Sequence, residues 1–175
     1  MKSQQILPIV KEWQERPLEE VYAVVFMDAI HYHVRSEGRI VKRAVYIALG
    51  IDMNGKKDVL GMYVGENESA KFWHDNWATL STYFKYPEAV RRLIYTTNAI
   101  EGFNRQLRKV TKSKTVFPSD DSLLKMLYLA TMDITKKWTG HRQDWGQIHS
   151  QLEIYFEEHL IRTQPVKTLV LGRFY

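Results

Sequence analysis

The sequence predicts an α+β fold in a single domain: a three-stranded antiparallel meander over about residues 21–65, then a helical half over about residues 67–160. Three observations predict it. Residues 21–27 form an unbroken apolar run, which is typical of a strand covered on both faces. Asn54-Gly55, a dipeptide that favours two-residue hairpin turns, separates two extended stretches. From Glu66 onward, apolar residues recur at helical spacing.

The strands of the meander follow from turn residues and from β-branched and aromatic content. The first strand is predicted to end at Asp28, and a second extended stretch covers His31 to Arg35. Ser36-Glu37-Gly38 is predicted to be a turn. The stretches Ile40–Ile51 and Val59–Val64 are rich in strand-forming residues and are expected to pair antiparallel.

Helical periodicity and proline positions predict the remaining elements. Pro87 ends the first helix of the helical half, and a short helical piece follows it. The tail of residues 163–175 is expected to be loosely ordered. The predicted helices cover residues 6–13, 66–86, 87–93, 98–113, 119–138 and 143–160.

Composition and charge exclude some kinds of site and partner and favour others. The chain has no cysteine, which excludes disulfides and thiolate zinc sites. Its longest apolar run, residues 21–27, is far shorter than the ~18 residues of a membrane span. A cytoplasmic, membrane-free protein is therefore expected. Residues 1–75 carry a net charge of −1 and residues 76–175 a net charge of +6. The basic half indicates either a polyanionic partner or a solvated basic surface.

Asp28, which directly follows the apolar run, is the first candidate for chemistry. A carboxylate beside a buried strand is costly unless it is paired or binds a metal, so a metal-ligand role is one interpretation. An aspartate that caps a turn into Ala29-Ile30 is the other, and the local sequence leaves both open. His31 and His33 project to one side of the chain and lack the partners of a zinc site. They are expected to be surface groups or neighbours of Asp28.

Glu101 has a structural interpretation beside a chemical one. Asn98 and Glu101 have the spacing of a capping box at a helix start, and Glu101 can pair with Arg105 four residues later. The local pattern favours the cap. Helical geometry also predicts a stripe opposite the apolar face, made of Glu101, Arg105, Arg108 and Lys112. A carboxylate that holds a divalent metal, with cations beyond it to hold phosphates, would have this arrangement.

Residues 105–114 contain five cations and no acid: Arg105, Arg108, Lys109, Lys112 and Lys114. Contact with a nucleic-acid backbone is the favoured interpretation. The alternative is a solvated helix end whose cations suit the helix dipole. Asp120 and Asp121 follow Ser119 at a predicted helix start, and we interpret them as capping residues.

Several segments resemble one family, the Mutator-type bacterial insertion-sequence transposases. Residues 26–32, 42–50 and 59–68 are similar to the start of that family's catalytic domain. Residues 95–108, which contain Thr-Asn-Ala-Ile-Glu-Gly-Phe-Asn-Arg, are similar to its late glutamate motif. The resemblance covers nearly residues 5–160.

The resemblance implies an RNase H-like fold and a triad of two aspartates and a glutamate. Such a triad binds two metals, usually Mg²⁺, for DNA strand cleavage and transfer. Asp28 matches the first catalytic aspartate and Glu101 matches the final glutamate, so both would be metal ligands. Asn98 and the cations of residues 105–114 would lie near DNA, either the insertion-sequence ends or the target.

The chain also departs from the family. The second catalytic aspartate and a segment containing cysteine and histidine have no counterpart. Residues 71–73 resemble the family's first helix and residues 74–77 a much later one, which indicates an internal deletion near 73–75. The family's N-terminal DNA-binding region is expected to be missing as well. Asp52 and Asp75 are candidate substitute acids, although turn chemistry explains Asp52 more simply.

The predicted function is therefore an inactive remnant of a Mutator-type transposase, because two acids do not normally position two metals. The shortened sheet would leave the Asp28 strand with an exposed edge, which favours self-association. The alternative is a non-catalytic module that binds DNA, a second copy of the chain or a full-length transposase.

Overall fold

A computed structural model describes residues 6–19, 22–65, 98–141, 144–160 and 170–173. The predicted three-stranded antiparallel sheet followed by helices is confirmed. The helices predicted over residues 66–93 and the junction near 73–75 lie outside the described residues. The elements are α1 (Ile6–Gln14), β1 (Tyr22–Ser36), β2 (Arg39–Asp52), β3 (Lys57–Gly65), α2 (Asn98–Thr111), α3 (Asp120–Thr135), α4 (Trp145–Leu160) and β4 (Val170–Arg173).

The strands form one sheet in the order β3-β2-β1-β4. β1 pairs antiparallel with β2 along its whole length, and β2 pairs antiparallel with β3. The predicted turn between β1 and β2 is confirmed. Its two central residues, Glu37 and Gly38, both have positive φ (50° and 76°), which suits the twist of a tight hairpin.

β1 corrects the prediction of two separate extended stretches. The strand runs unbroken through Asp28, so Asp28 lies in the middle of a 15-residue strand and not at a strand end. Residues 29–35 are compatible with strand geometry, and β2 supplies partners for all of them. Asp28 therefore does not end the strand, because pairing with β2 extends β1 to Ser36.

The connection between β2 and β3 is longer than the predicted two-residue turn. β2 ends at Asp52 and β3 begins at Lys57. The Asp52 carboxylate accepts bonds from the backbone N–H groups of Asn54 and Lys56, both at 2.8 Å. Asp52 is therefore a turn residue. It pairs with Tyr22, six residues before Asp28 on β1 and hence roughly 20 Å away, so the idea of Asp52 as a substitute acid is wrong.

One face of the sheet forms the core with the helices. The even-numbered side chains from Tyr22 to Val34, including Phe26 and Ile30, are buried on this face, because strand side chains alternate. The helices contribute Ile100, Phe103, Leu107, Leu123, Leu127, Ile148 and Leu152 to the same cluster. Within the described residues, no helix is both long and apolar enough to cross a bilayer.

Part of the C-terminal tail joins the sheet. The sequence predicted a loosely ordered tail, but residues 170–173 form β4, which runs parallel to β1 opposite Val25–Asp28. Farther along the same edge, Phe117 bonds to the backbone of β1: its N–H donates to His33 O, and its carbonyl accepts from Arg35 N, both at 2.8 Å. The edge of β1 that was predicted to be exposed is therefore covered at these two places.

Candidate functional site

Asp28 projects from β1 into the core face of the sheet. Its neighbours on that face, Phe26 and Ile30, are fully buried, and Asp28 itself is 9% exposed. The interpretation of Asp28 as a turn cap is wrong, because no turn follows it. Its Oδ1 accepts a 2.8 Å bond from the N–H of Ala29. Burial of a carboxylate in such surroundings costs several kcal/mol unless other groups compensate it.

Asn104 bonds directly to Asp28 and was not predicted as a site residue. The Asn104 Nδ2 group donates a short hydrogen bond to Oδ2 of Asp28. Asn104 is 3% exposed, and its Oδ1 has no hydrogen-bond partner among the described residues. A sequence signal existed, because position 104 falls within the helical stripe of Ile100, Phe103 and Leu107. A polar side chain within an apolar stripe needs a partner, but the sequence does not identify it.

Glu101 lies on α2 one turn before Asn104. Residues three apart on a helix are neighbours, with Cβ atoms about 5–6 Å apart. Because Asn104 touches Asp28, this spacing brings the half-buried Glu101 toward the same part of β1. Glu101 is the acid of the first turn of α2, as predicted. Asn98 begins α2, and the proposed bond between its side chain and the Glu101 N–H stays a prediction.

Tyr32 shows how α2 lies against β1. Its side chain is on the same face as Asp28, four residues later, and its neighbours on α2 are Thr111 and Arg108. Contacts therefore advance along both elements together, so α2 runs in the same direction as β1. Burial raises the pKa of the Tyr32 hydroxyl, and Thr111 and Arg108 offset part of that rise. No hydrogen bond of good geometry reaches this hydroxyl from the described residues.

The donor set at this site consists of oxygen atoms, which suit Mg²⁺. Asp28 and Glu101 offer carboxylates, and Asn104 offers an amide oxygen that lacks a donor. No group of three or more acids, histidines or cysteines that could hold a metal occurs among the described residues. Within the described ranges, the donors therefore fall short of the three acids that two-metal chemistry requires, and these residues fit a two-metal centre incompletely.

The predicted basic stripe is exposed on the side of α2 away from the core. Ile100, Phe103 and Leu107 are buried, which confirms the predicted division of the helix into two faces. The exposed cations are Arg105, Arg108, Lys109, Lys112 and Lys114. None of them forms an ion pair within the described part of the chain. Arg105, Arg108 and Lys109 lie on α2, and Lys112 and Lys114 follow its end at Thr111. Unpaired cations clustered in this way are compatible with a polyanionic partner.

Two other predicted neighbours of the site lie elsewhere. His31 and His33 are odd-numbered on β1, so they project to the sheet face opposite Asp28, and the expectation that they are its neighbours is wrong.

Ser119 caps α3 through its side chain, which accepts a 3.2 Å bond from Ser122 N. Asp120 does more than suit the helix dipole: its Oδ1 accepts a 3.3 Å bond from Arg43 Nε.

Comparison with known proteins adds a family and its relatives. The family model described as "Transposase, Mutator family" matches residues 2–81 and 74–141. A probable transposase for an ISRM3-like insertion sequence element from Sinorhizobium fredii is 26% identical, covering 88% of this chain and 64% of that protein. The transposase for insertion sequence element ISRM3 from Rhizobium meliloti is 25% identical, covering 87% of this chain and 64% of that protein.

A further relative matches only part of the chain, at higher identity. The transposase for insertion sequence element IS406 from Burkholderia multivorans is 47% identical over 64 residues, which are 37% of this chain and 16% of that protein. The chain thus spans less than two thirds of the length of these curated relatives.

Proposed function

The chain belongs to the Mutator family of transposases, and on that premise we propose that it is a shortened, inactive form of a metal-dependent DNA transposase. In this proposal Asp28 and Glu101 are the first and last acids of the catalytic triad, and the second aspartate is missing. One observation carries the assignment: a buried Asp28 is bonded to Asn104, one helical turn after Glu101.

The arrangement of the sheet supports an RNase H-like fold. The strand that holds Asp28 is internal, with an antiparallel neighbour, β2, on one side and a parallel neighbour, β4, on the other. Helices pack on the face into which Asp28 projects. A mixed sheet with a catalytic acid on an internal strand and helices over it is what an RNase H-like core requires.

Two features of the comparisons support an internal deletion. The family model matches in two pieces that overlap at residues 74–81, next to the junction predicted at 73–75. The Sinorhizobium relative aligns over 255 residues, whereas 88% of this 175-residue chain takes part, so about 100 aligned positions have no residue here. A segment of that size is large enough to have carried the second acid.

In an intact site of this class, bound Mg²⁺ activates the attacking oxygen and stabilises the leaving one. Of the residues that the structure describes, Asp28 and Glu101 would contribute the two carboxylates that hold the metal. Two carboxylates do not neutralise and position two divalent cations, so strand cleavage and transfer are not expected.

A nuclease and strand-transfer assay tests the proposal. The full chain is incubated with Mg²⁺ or Mn²⁺ and a labelled duplex that carries an insertion-sequence end, beside an Asp28→Ala variant. We expect no product above background from either protein. Cleavage or joining by the wild type that Asp28→Ala abolishes would overturn the proposed inactivity and show that a third ligand is present.

The exposed cations of α2 favour a second function, a module that binds DNA without cutting it. The five side chains lie along one helix and its C-terminal turn and have no acidic partner in the described part of the chain. Phosphate contacts of this kind are independent of sequence and weaken as salt rises. A fluorescence titration with labelled duplex at low and at moderate salt tests it. Absence of binding at low salt would rule this function out.

A further inference from the structure

Asn104 occupies a position whose surroundings favour an apolar side chain. It is 3% exposed and lies on the face of α2 that carries Phe103 and Leu107. An amide in such a place lowers stability unless its polar atoms are paired. Its Oδ1 finds no hydrogen-bond donor in the described ranges. The presence of an amide at position 104 is therefore explained by its other polar atom, Nδ2.

Nδ2 completes a pair of bonds that holds the Asp28 carboxylate. It donates to Oδ2, and the N–H of Ala29 donates to Oδ1 at 2.8 Å. With a donor on each oxygen, the carboxylate cannot rotate about its Cβ–Cγ bond without weakening both contacts. The amide orientation follows from chemistry, because an ionised carboxylate accepts hydrogen bonds and would repel an amide oxygen.

Asn104 suits this role because its side chain is uncharged as well as a hydrogen-bond donor. A lysine or arginine at this position would also bond to Asp28, but its charge would cancel the carboxylate and compete with any cation. An amide orients the acid and leaves its negative charge in place. Bonds of this kind are found behind metal-binding side chains, where they fix ligand orientation.

We propose that Asn104 is a positioning residue that holds the Asp28 carboxylate in one orientation beside Glu101. The proposal rests on the proposed function only in taking Asp28 and Glu101 as one acidic site. Asn104 belongs neither to the proposed catalytic acids nor to the cations that are proposed to contact DNA. The role is intrinsic to the folded chain and does not require a bound metal.

Nuclear magnetic resonance of the full wild-type chain tests the first step. A through-bond coupling between Asn104 Nδ2 and Asp28 Cγ is expected, together with one strongly downfield amide proton on Asn104. This measurement needs no variant. A missing coupling, with both Asn104 amide protons at the chemical shifts of a solvent-exposed asparagine side chain, would overturn the proposal.

Asn104→Leu tests the consequence for Asp28, with Thr111→Val as a matched control. Thr111 is also a buried polar residue of α2, but its hydroxyl bonds to Leu107 O at 3.0 Å and not to Asp28. In Asn104→Leu the Ala29 amide proton should shift upfield by several linewidths, and the Asp28 Cγ signal should broaden or double. Thr111→Val should change neither signal. Unchanged Ala29 and Asp28 signals in Asn104→Leu would refute the positioning role.

A titration of the wild type with Mg²⁺ separates this inference from the proposed function. Chemical-shift changes confined to residues around Asp28 and Glu101 would report a retained cation site, whatever the state of Asn104. Absence of such shift changes would count against a cation site but not against the positioning role of Asn104, because the Asn104→Leu result is obtained without metal. If Asn104→Leu does not fold, Asn104→Ala gives the same comparison with a smaller side chain.

Discussion

Removal of two cations from α2 and the turn that follows it should reduce the salt dependence of DNA binding by a calculable amount. Arg105 and Lys112 are both exposed and lie seven residues apart, Arg105 on α2 and Lys112 directly after its last residue, Thr111. If each of the five cations contacts one phosphate, the slope of log affinity against log salt is about −4.5, since each contact contributes about 0.9. Arg105→Ala/Lys112→Ala should reduce it to about −2.7. Between 50 and 200 mM salt, affinity would then fall about 40-fold instead of about 500-fold.

The control is a variant with the same change in net charge at cations that already have partners. Lys11 pairs with Glu15 at 3.8 Å and Lys136 with Asp133 at 3.4 Å. Lys11→Ala/Lys136→Ala should retain the wild-type slope, because these lysines lie on α1 and after α3. Fluorescence anisotropy with a short labelled duplex at four salt concentrations gives all three slopes. Equal slopes for the two double variants would refute the assignment of the DNA contacts to α2 and would indicate a bulk charge effect.

Three further predictions concern stability and assembly. Gly55→Ala should destabilise the chain by about 1–3 kcal/mol more than Gly38→Ala in urea unfolding. Both glycines have φ near +77°, but only at Gly55 would a Cβ lie 2.6 Å from the Trp145 ring, so an equal loss would contradict the packing. Tyr32→Phe should cost little at neutral pH, because no hydrogen bond of good geometry reaches the hydroxyl from the described residues. Burial raises the pKa of Tyr32, so the unfolded state ionises first and wild-type stability should fall above about pH 10. Tyr32→Phe should lose less stability there, and identical pH profiles would disprove the effect. Deletion of residues 170–175 removes β4 and should increase self-association in analytical ultracentrifugation, whereas an unchanged mass would show that the β1 edge needs no cover.

The meander could be predicted from the sequence because its signals are local. Alternation along β1 and the positive-φ residues Glu37 and Gly38 act within a few positions of each other. The end of β1 could not be predicted, because Asp28 suits a strand only when β2 supplies a partner and Asn104 supplies a donor. β4 could not be predicted for a similar reason. Four residues, Val-Leu-Gly-Arg, form a strand only beside an available edge that lies more than 140 residues earlier in the chain.

Some features of the candidate site could likewise be predicted from the sequence, and others could not. The face of α2 that buries Ile100 and Leu107 and exposes Arg105 follows from helical periodicity. The interpretation of Asp52 as a turn residue follows from its position just before Asn54-Gly55 in the sequence. The bond between Asp28 and Asn104 joins residues 76 positions apart, and no local pattern encodes it. Resemblance to a family predicted the roles of Asp28 and Glu101, whereas the structure showed that Asn104 is bonded to Asp28.

The bonds around Asp28 explain how the acid that we propose as the first of the triad can be retained in a chain that we propose to be inactive. A buried carboxylate without a cation would ordinarily destabilise the fold or take up a proton. Here the N–H of Ala29 and the Nδ2 group of Asn104 donate to its two oxygens, and charge-assisted bonds of this kind contribute about 1.5–3 kcal/mol each. These donors are part of the fold, and they remain when a metal or a third acid is absent. Retention of Asp28 is therefore compatible with an inactive protein, and the buried acid alone does not establish activity. On the proposed function, activity would require a third oxygen ligand in addition to Asp28 and Glu101, and the strand-transfer assay with Asp28→Ala tests whether such activity exists.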